Sequence, residues 1–217
     1  MGDTSKPSLI DVLTPSISSD RLATYLQAAG FVGDRALKLY LWNATIGEAF
    51  HLPIQAVEVG LRNRINTALC IEFGPDWWQS KIFLDLLSHE QLTALMTVER
   101  RMVGRAKPVV TPQIVASLSI GFWVGMLNRR FNPTIWSRHL HVAFVHLPGD
   151  KNLRSIEASA RRTAALRNRI WHHEPVFRSD LSAEFSSIME LLIWVCPAKA
   201  NWIRPHCRVL SLLRQKP

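Results

Sequence analysis

Leu166-Arg167-Asn168-Arg169-Ile170-Trp171-His172-His173-Glu174-Pro175 is the stretch around which this chain is organised. It reads as a strongly basic helix that runs into a histidine pair and stops. Glu174 precedes a proline and is biased away from helical geometry, which places His172 and His173 in or just past the last helical turn. Residues 151 to 173 carry Lys151, Arg154, Arg161, Arg162, Arg167 and Arg169 against one acid, Glu157, so positive charge gathers just before the only adjacent histidines of the chain. Phosphate is the ligand that such a gathering suits.

On a regular helix, at about 100° per residue, Asn168 and His172 share a face, so the amide can fix the tautomer and direction of the ring. Arg169 stands in the same relation to His173. Arg167 and His172 diverge by roughly 140°, so one straight helix does not aim both at a small target. Either the helix end bends or a second chain completes the site. The carbonyls of a helix C-terminus favour a cation at the histidines while the neighbouring arginines oppose one. Taken alone, the same residues also fit a helix C-terminus finished with cations and leading into a proline turn. A histidine and an arginine nevertheless match what RNA cleavage asks for: proton transfer at the 2′-OH and the leaving oxygen, and a planar cation on the phosphate.

An arginine, a polar Asn, three more residues and a histidine near a helix end resembles the Arg-x4-His signature of HEPN (higher eukaryotes and prokaryotes nucleotide-binding) domains. The fuller string Arg167-Asn168-Arg169-Ile170-Trp171-His172-His173-Glu174-Pro175-Val176-Phe177 is similar to the motif of the Abi-like abortive-infection proteins within that group. Leu39-Tyr40-Leu41-Trp42-Asn43, Glu58-Val59-Gly60-Leu61-Arg62-Asn63, Leu118-Ser119-Ile120-Gly121-Phe122-Trp123 and Ile135-Trp136 agree with that family, in the expected order, over roughly residues 20 to 205. The resemblance implies an all-α, single-domain helical bundle that works as a homodimer and as a metal-independent endoribonuclease, in phage defence or as a toxin. It implies Arg167 and His172 as catalytic residues, Asn168 as the polar position after the arginine, and His173 as a further candidate. Arg162 and Arg169 are the candidates for substrate binding. RNA is the expected substrate, no cofactor or metal is expected, and an antitoxin, protein or RNA, is a partner that the family leaves room for. A rival reading from a different class is a non-catalytic RNA- or nucleotide-binding regulatory protein whose histidines are structural.

The rest of the chain reads as helices. Pro53 suits the first turn of a helix in which Ile54, Val57, Leu61, Ile65 and Leu69 recur at spacings of three and four, following a separate helix from Asp34 to about His51. Leu-Arg-Asn-Arg-Ile occurs twice, at 61 to 65 and at 166 to 170, but five residues after Arg62 stands Thr67 rather than histidine, so the first copy receives no catalytic role. Glu58 and Arg62 are expected to pair at i,i+4. Trp77-Trp78 after the Gly74-Pro75-Asp76 break is expected to anchor a loop to the core, and Trp42-Asn43 to be a core aromatic beside a buried, hydrogen-bonded amide. Ser88 with Gln91 forms a capping-box pattern, Thr111-Pro112 opens an apolar helix through Gly121-Phe122-Trp123, Asp150 is the expected cap of the motif helix, and Ser179 or Asp180 opens a helix through Val195. Residues 1 to 18, with Pro7 and Pro15, read as a flexible N-terminal arm ahead of the helical domain at 19 to 213.

Composition bounds the partners. The chain of 217 residues carries a formal charge of +9, which favours polyanions without distinguishing RNA from DNA or an anionic membrane. Cys70, Cys196 and Cys207 form no close pair, which fits a reducing cytoplasm better than a disulfide scaffold or a zinc cluster, and the N-terminus lacks the apolar core of a signal peptide. No charged residue lies between Pro108 and Asn128, but Pro112, Gln113, Ser117 and Ser119 dilute the run and basic residues, Arg105 and Lys107 before it and Arg129 and Arg130 after it, flank both ends. A buried bundle helix, rather than a membrane span, is expected there. His139 and His141 do not share a helical face and have no acid at metal-ligand spacing, so they do not suggest zinc.

Overall fold

Helical periodicity with no alternating run calls for a helical chain, and the computed structural model, which describes residues 7–104 and 109–217, contains no strand among them. Residues 1–6 of the expected arm, and Arg105, Lys107 and Pro108, lie outside the described residues. In order the helices are α1 (Leu9–Ile17), α2 (Ser19–Ala28), α3 (Gly33–Phe73), α4 (Lys81–Leu86), α5 (His89–Val103), α6 (Thr111–Ser117), α7 (Ile120–Gly125), α8 (Ser137–Ala143), α9 (Leu153–Trp171), α10 (Leu181–Val195), α11 (Pro197–Ile203) and α12 (Val209–Leu213). The lead-in expected as an arm therefore contains a helix, α1, none of whose residues is buried, although Ile10 packs at the edge of the core. No helix among the described residues is long and apolar enough to cross a membrane.

The axis of the fold is α3, 41 residues in one helix and so about 60 Å long. Two helices split at Pro53 were expected here. Proline removes one backbone hydrogen bond and crowds the preceding turn, a cost of about 3 kcal/mol. Burying Phe50, Ile54 and Val57, each no more than 1% exposed, offsets this at roughly 1.5–3 kcal/mol per side chain. The apolar stripe runs without a break from Ala36 to Leu69, and α2, α8, α10 and α12 pack along it. At its far end Glu72 receives His139 Nε2 at 2.7 Å and Arg138 at 3.2 Å, docking α8.

The apolar segment after Val110 also departs from expectation, by breaking rather than merging. It forms α6 and α7 in place of one helix, because Leu118 is extended and the Ser119 hydroxyl caps α7 by accepting from Phe122 N. Serine competes with the helix for its own backbone, and at this position it wins. A π-helical turn at Asn132–Trp136 leads into α8. The tryptophan pair anchors its loop as expected: Trp77 donates to Asn66 Oδ1 at 2.8 Å and Trp78 to Thr111 Oγ1 at 3.0 Å, both from buried positions. Ser88 and Gln91 form their capping box, and Asp180 caps α10 through Ala183 N.

Candidate active site

The basic helix α9 starts two residues later than expected. Asn152, not Asp150, is its cap, accepting from Arg154 N and Ser155 N. Its apolar side, Leu153, Ile156, Ala160, Thr163 and Leu166, faces α7 and α10, which leaves the arginines toward solvent. The other end closes in a tight wrap. His172 is the cap residue, His173 takes a left-handed φ of 55°, His173 N donates to Ile170 O at 3.0 Å and Glu174 N to Arg169 O at 2.9 Å. These are the two bonds of a Schellman ending, whose left-handed position is usually glycine. The same pair of bonds closes α2 around Gly30, so the ending occurs there with glycine and here with a histidine.

The segment beyond this wrap is held from several sides. Asn43 on α3 accepts from Val176 N at 2.8 Å and Phe177 N at 3.2 Å and donates to Glu174 O at 3.3 Å. Arg21 on α2 donates to His173 O at 2.7 Å, and Lys216 to Phe177 O at 2.8 Å. The expected pairing of a core Trp42 with a buried Asn43 is thus present, Trp42 donating to Leu212 O at 2.9 Å.

Each candidate residue has a definite place. Arg167 sits just before the last turn of α9, half-buried, with its guanidinium 4.8 Å from the Trp171 ring centre and Nη1 3.4 Å from the amide oxygen of Asn168. Its Nε is buried without a hydrogen-bond partner. Asn168, expected to orient the His172 ring, turns its side chain to Arg167 instead, and only its backbone carbonyl reaches His172, at the amide. His172 keeps the i,i+4 backbone bond at 2.9 Å, so what is missing is the side-chain contact, because the amide oxygen of Asn168 is taken by the Arg167 guanidinium. His172 and His173 are both exposed. Arg169, expected as a substrate contact and as the neighbour of His173, donates to Ser179 Oγ and Pro175 O, both at 2.7 Å, and lies 3.5 Å from Glu174: it fastens the turn. Arg162 is engaged by Glu184 at 2.8 Å, a hydrogen bond that raises its pKa, and Arg161 by Glu157 at 2.7 Å.

The twin pentapeptide behaves alike in both copies. Arg62 and Arg167 each bury an Nε with no partner, whereas Arg64 and Arg169 each donate to a backbone carbonyl, of Val195 and Pro175. The expected Glu58–Arg62 bridge is not among the ion pairs of the described residues.

Beside the motif lies a cavity of about 780 Å³ between α1, α2, α3 and the end of α9. His173, Glu174 and Trp171 form one wall, and Tyr25, Tyr40 and His51 contribute from the other helices. His51 stacks on Trp171, with ring centres 5.3 Å apart and planes 21° apart. None of His51, Tyr25 or Arg21 was singled out from the sequence, since each reaches the site from more than a hundred residues away and no local spacing announces it. Among the described residues no three His, Cys, Asp or Glu side chains gather in a way that could hold a metal ion. No family model, no curated protein and no solved structure matches the chain.

Proposed function

We propose that this chain is a metal-independent endoribonuclease of the HEPN type, similar to the Abi-like proteins, acting as a homodimer in the cytoplasm in phage defence or as a toxin. The 2′-OH of one nucleotide attacks the adjoining phosphorus and the 5′-oxygen of the next nucleotide leaves, giving a 2′,3′-cyclic phosphate and a 5′-OH. His172 transfers the proton and Arg167 holds the phosphate as negative charge builds on it. The observation that carries this reading is the division of labour among the arginines of α9. Arg161, Arg162 and Arg169 have carboxylate partners, and Arg154 stands at the opposite end of the helix from the histidines, while Arg167 has only an amide oxygen and an aromatic face, close in sequence to two exposed imidazoles. A guanidinium without a carboxylate is the one free to take a phosphate. Because Arg167 and His172, five residues apart at the end of α9, diverge by roughly 140° about the helix axis, two motif copies facing each other across a dimer would supply both groups to one cleft.

The test is cleavage of a mixed RNA pool in EDTA by the wild type and by His172→Ala, with the product ends identified. Cleavage by the wild type alone, leaving cyclic phosphate ends, is expected. Intact RNA with both proteins, with binding retained, would replace the nuclease by a phosphate-binding protein. Equal cleavage by both would remove His172 from the mechanism.

A further inference from the structure

We propose that the cavity beside the motif receives a nucleobase of the RNA, the one adjoining the phosphate at Arg167, and reads it by an amino-bearing edge. The inference rests on the nuclease reading for its substrate, and on the cavity itself for its chemistry. At about 780 Å³ the cavity is of the size that encloses small organic ligands. Its wall carries Tyr40, Trp171 and His51, and aromatic faces are what an unstacked base rests on. His173 belongs to this wall while its chain neighbour His172 stands at the proposed cleavage point, so the cavity opens one residue from the chemistry.

Tyr25 is the residue that turns a hollow into a receptor. It lines the cavity, is 1% exposed, and its hydroxyl has no hydrogen-bond partner among the described residues. Burial pushes its pKa up to about 12, and it therefore remains a neutral hydroxyl that can both donate and accept. The hydroxyl meets the solvent of the cavity and not a protein partner, so a polar ligand atom can take the place of water there.

Charge selects the base over the phosphate. Glu48 and Glu174 both line the cavity, each meeting an arginine at one oxygen, Arg208 at 2.7 Å and Arg169 at 3.5 Å, so the second oxygen of each is left to accept hydrogen bonds from exocyclic amino groups, which a phosphate does not offer. The one arginine of the lining, Arg21, is committed to the carbonyl of His173 at 2.7 Å. Guanine offers two adjacent donors to a carboxylate, whereas uracil has no amino group, so guanine is the favoured base and uracil the disfavoured one.

The chain has only two tyrosines, Tyr25 and Tyr40, and both line this cavity. Full-length protein labelled with ¹³C on the tyrosine rings therefore reports on the cavity alone. The probes are 2′-O-methyl dinucleotides, which have no free 2′-OH and resist cleavage, together with 3′-GMP. The dinucleotide GpA is expected to shift the tyrosine signals at a concentration at least about tenfold below that needed for UpA, and Glu48→Gln with Glu174→Gln is expected to weaken GpA about tenfold. Unmoved tyrosine signals with GpA, or equal response to UpA, would overturn the proposal. So would saturation by 3′-GMP with GpA silent, which would assign the cavity to a free nucleotide. The two readings fail separately: a chain that cuts RNA with silent tyrosines loses only the base site, and one whose tyrosines respond while RNA stays intact loses only the nuclease.

Discussion

Asn43→Ala removes a side chain that contacts no candidate catalytic group, yet it should be among the most damaging substitutions near the site. Asn43 is 7% exposed, and its amide oxygen accepts from Val176 N at 2.8 Å and Phe177 N at 3.2 Å. Both donors belong to buried residues, and leaving a buried N–H unpaired costs about 1–3 kcal/mol each. The third bond, from Nδ2 to Glu174 O, is longer at 3.3 Å and adds about 0.5–1 kcal/mol. Asn43 also lines the cavity, so water can replace part of what is lost, which brings the expected total to about 3 kcal/mol. With a urea m-value of about 2 kcal/mol/M, the unfolding midpoint should fall by about 1.5 M with unchanged slope. RNA cleavage by this variant, measured where it is still folded, should fall too, since the segment it clamps sets the end of α9. A midpoint shift under about 0.5 M would refute the accounting.

His173→Gly should stabilise the fold. Relieving a left-handed φ of 55° returns about 1–2 kcal/mol, less about 0.5–1 kcal/mol for the added freedom of glycine in the unfolded chain, so the melting temperature should rise by about 2 °C, and a drop would be contrary. Gly60→Ala should act in the opposite sense: its Cβ would stand 2.6 Å from Val195 Cγ1, and overpacking at about 1–3 kcal/mol exceeds the gain in helix propensity of about 1 kcal/mol. Calorimetry showing an unchanged or higher melting temperature for Gly60→Ala would disprove that close contact. Tyr25, with its pKa raised from 10.0 to about 12, contributes stability that is fully present below pH 10 and is lost as pH rises through about 12. At about 1.36 kcal/mol per unit this amounts to about 2–3 kcal/mol, and Tyr25→Phe should abolish that part of the alkaline loss in denaturation curves at pH 9 and 12.

Local signals were legible wherever one cause acts over one or two turns. The Ser88–Gln91 capping box, the Asp180 cap and the tryptophan anchor at 77 and 78 all form as their residues suggest. Where burial competes with a local breaker, the outcome depends on partners that are distant in sequence. Pro53 was read as a helix start because proline breaks helices, and α3 runs through it because its stripe is buried on both sides of the break. The converse occurs at Ser119, where an apolar run looked continuous and a hydroxyl cap divides it. At the site, charge clustering marked α9 as basic, but it could not reveal which arginines are already spent. Arg162 meets Glu184 from α10 and Arg169 meets the turn it closes, and only the fold brings those partners near. The cavity was illegible for the same reason: Tyr25, His51 and Trp171 meet only after three helices have docked.

The length of α3 has a consequence for the chain during synthesis. Its apolar stripe is complete once Phe73 has been made, but α10, which packs along it, begins at Leu181. At about 5–20 residues per second, roughly 5–20 s pass between those two events on the ribosome. Through that interval α2 can cover part of the stripe, and the surface destined for α10 stays open to water and to other chains. A slow ribosome therefore lengthens the most aggregation-prone stage of this protein's life, and chaperone demand should scale with the time taken to translate residues 74 to 195.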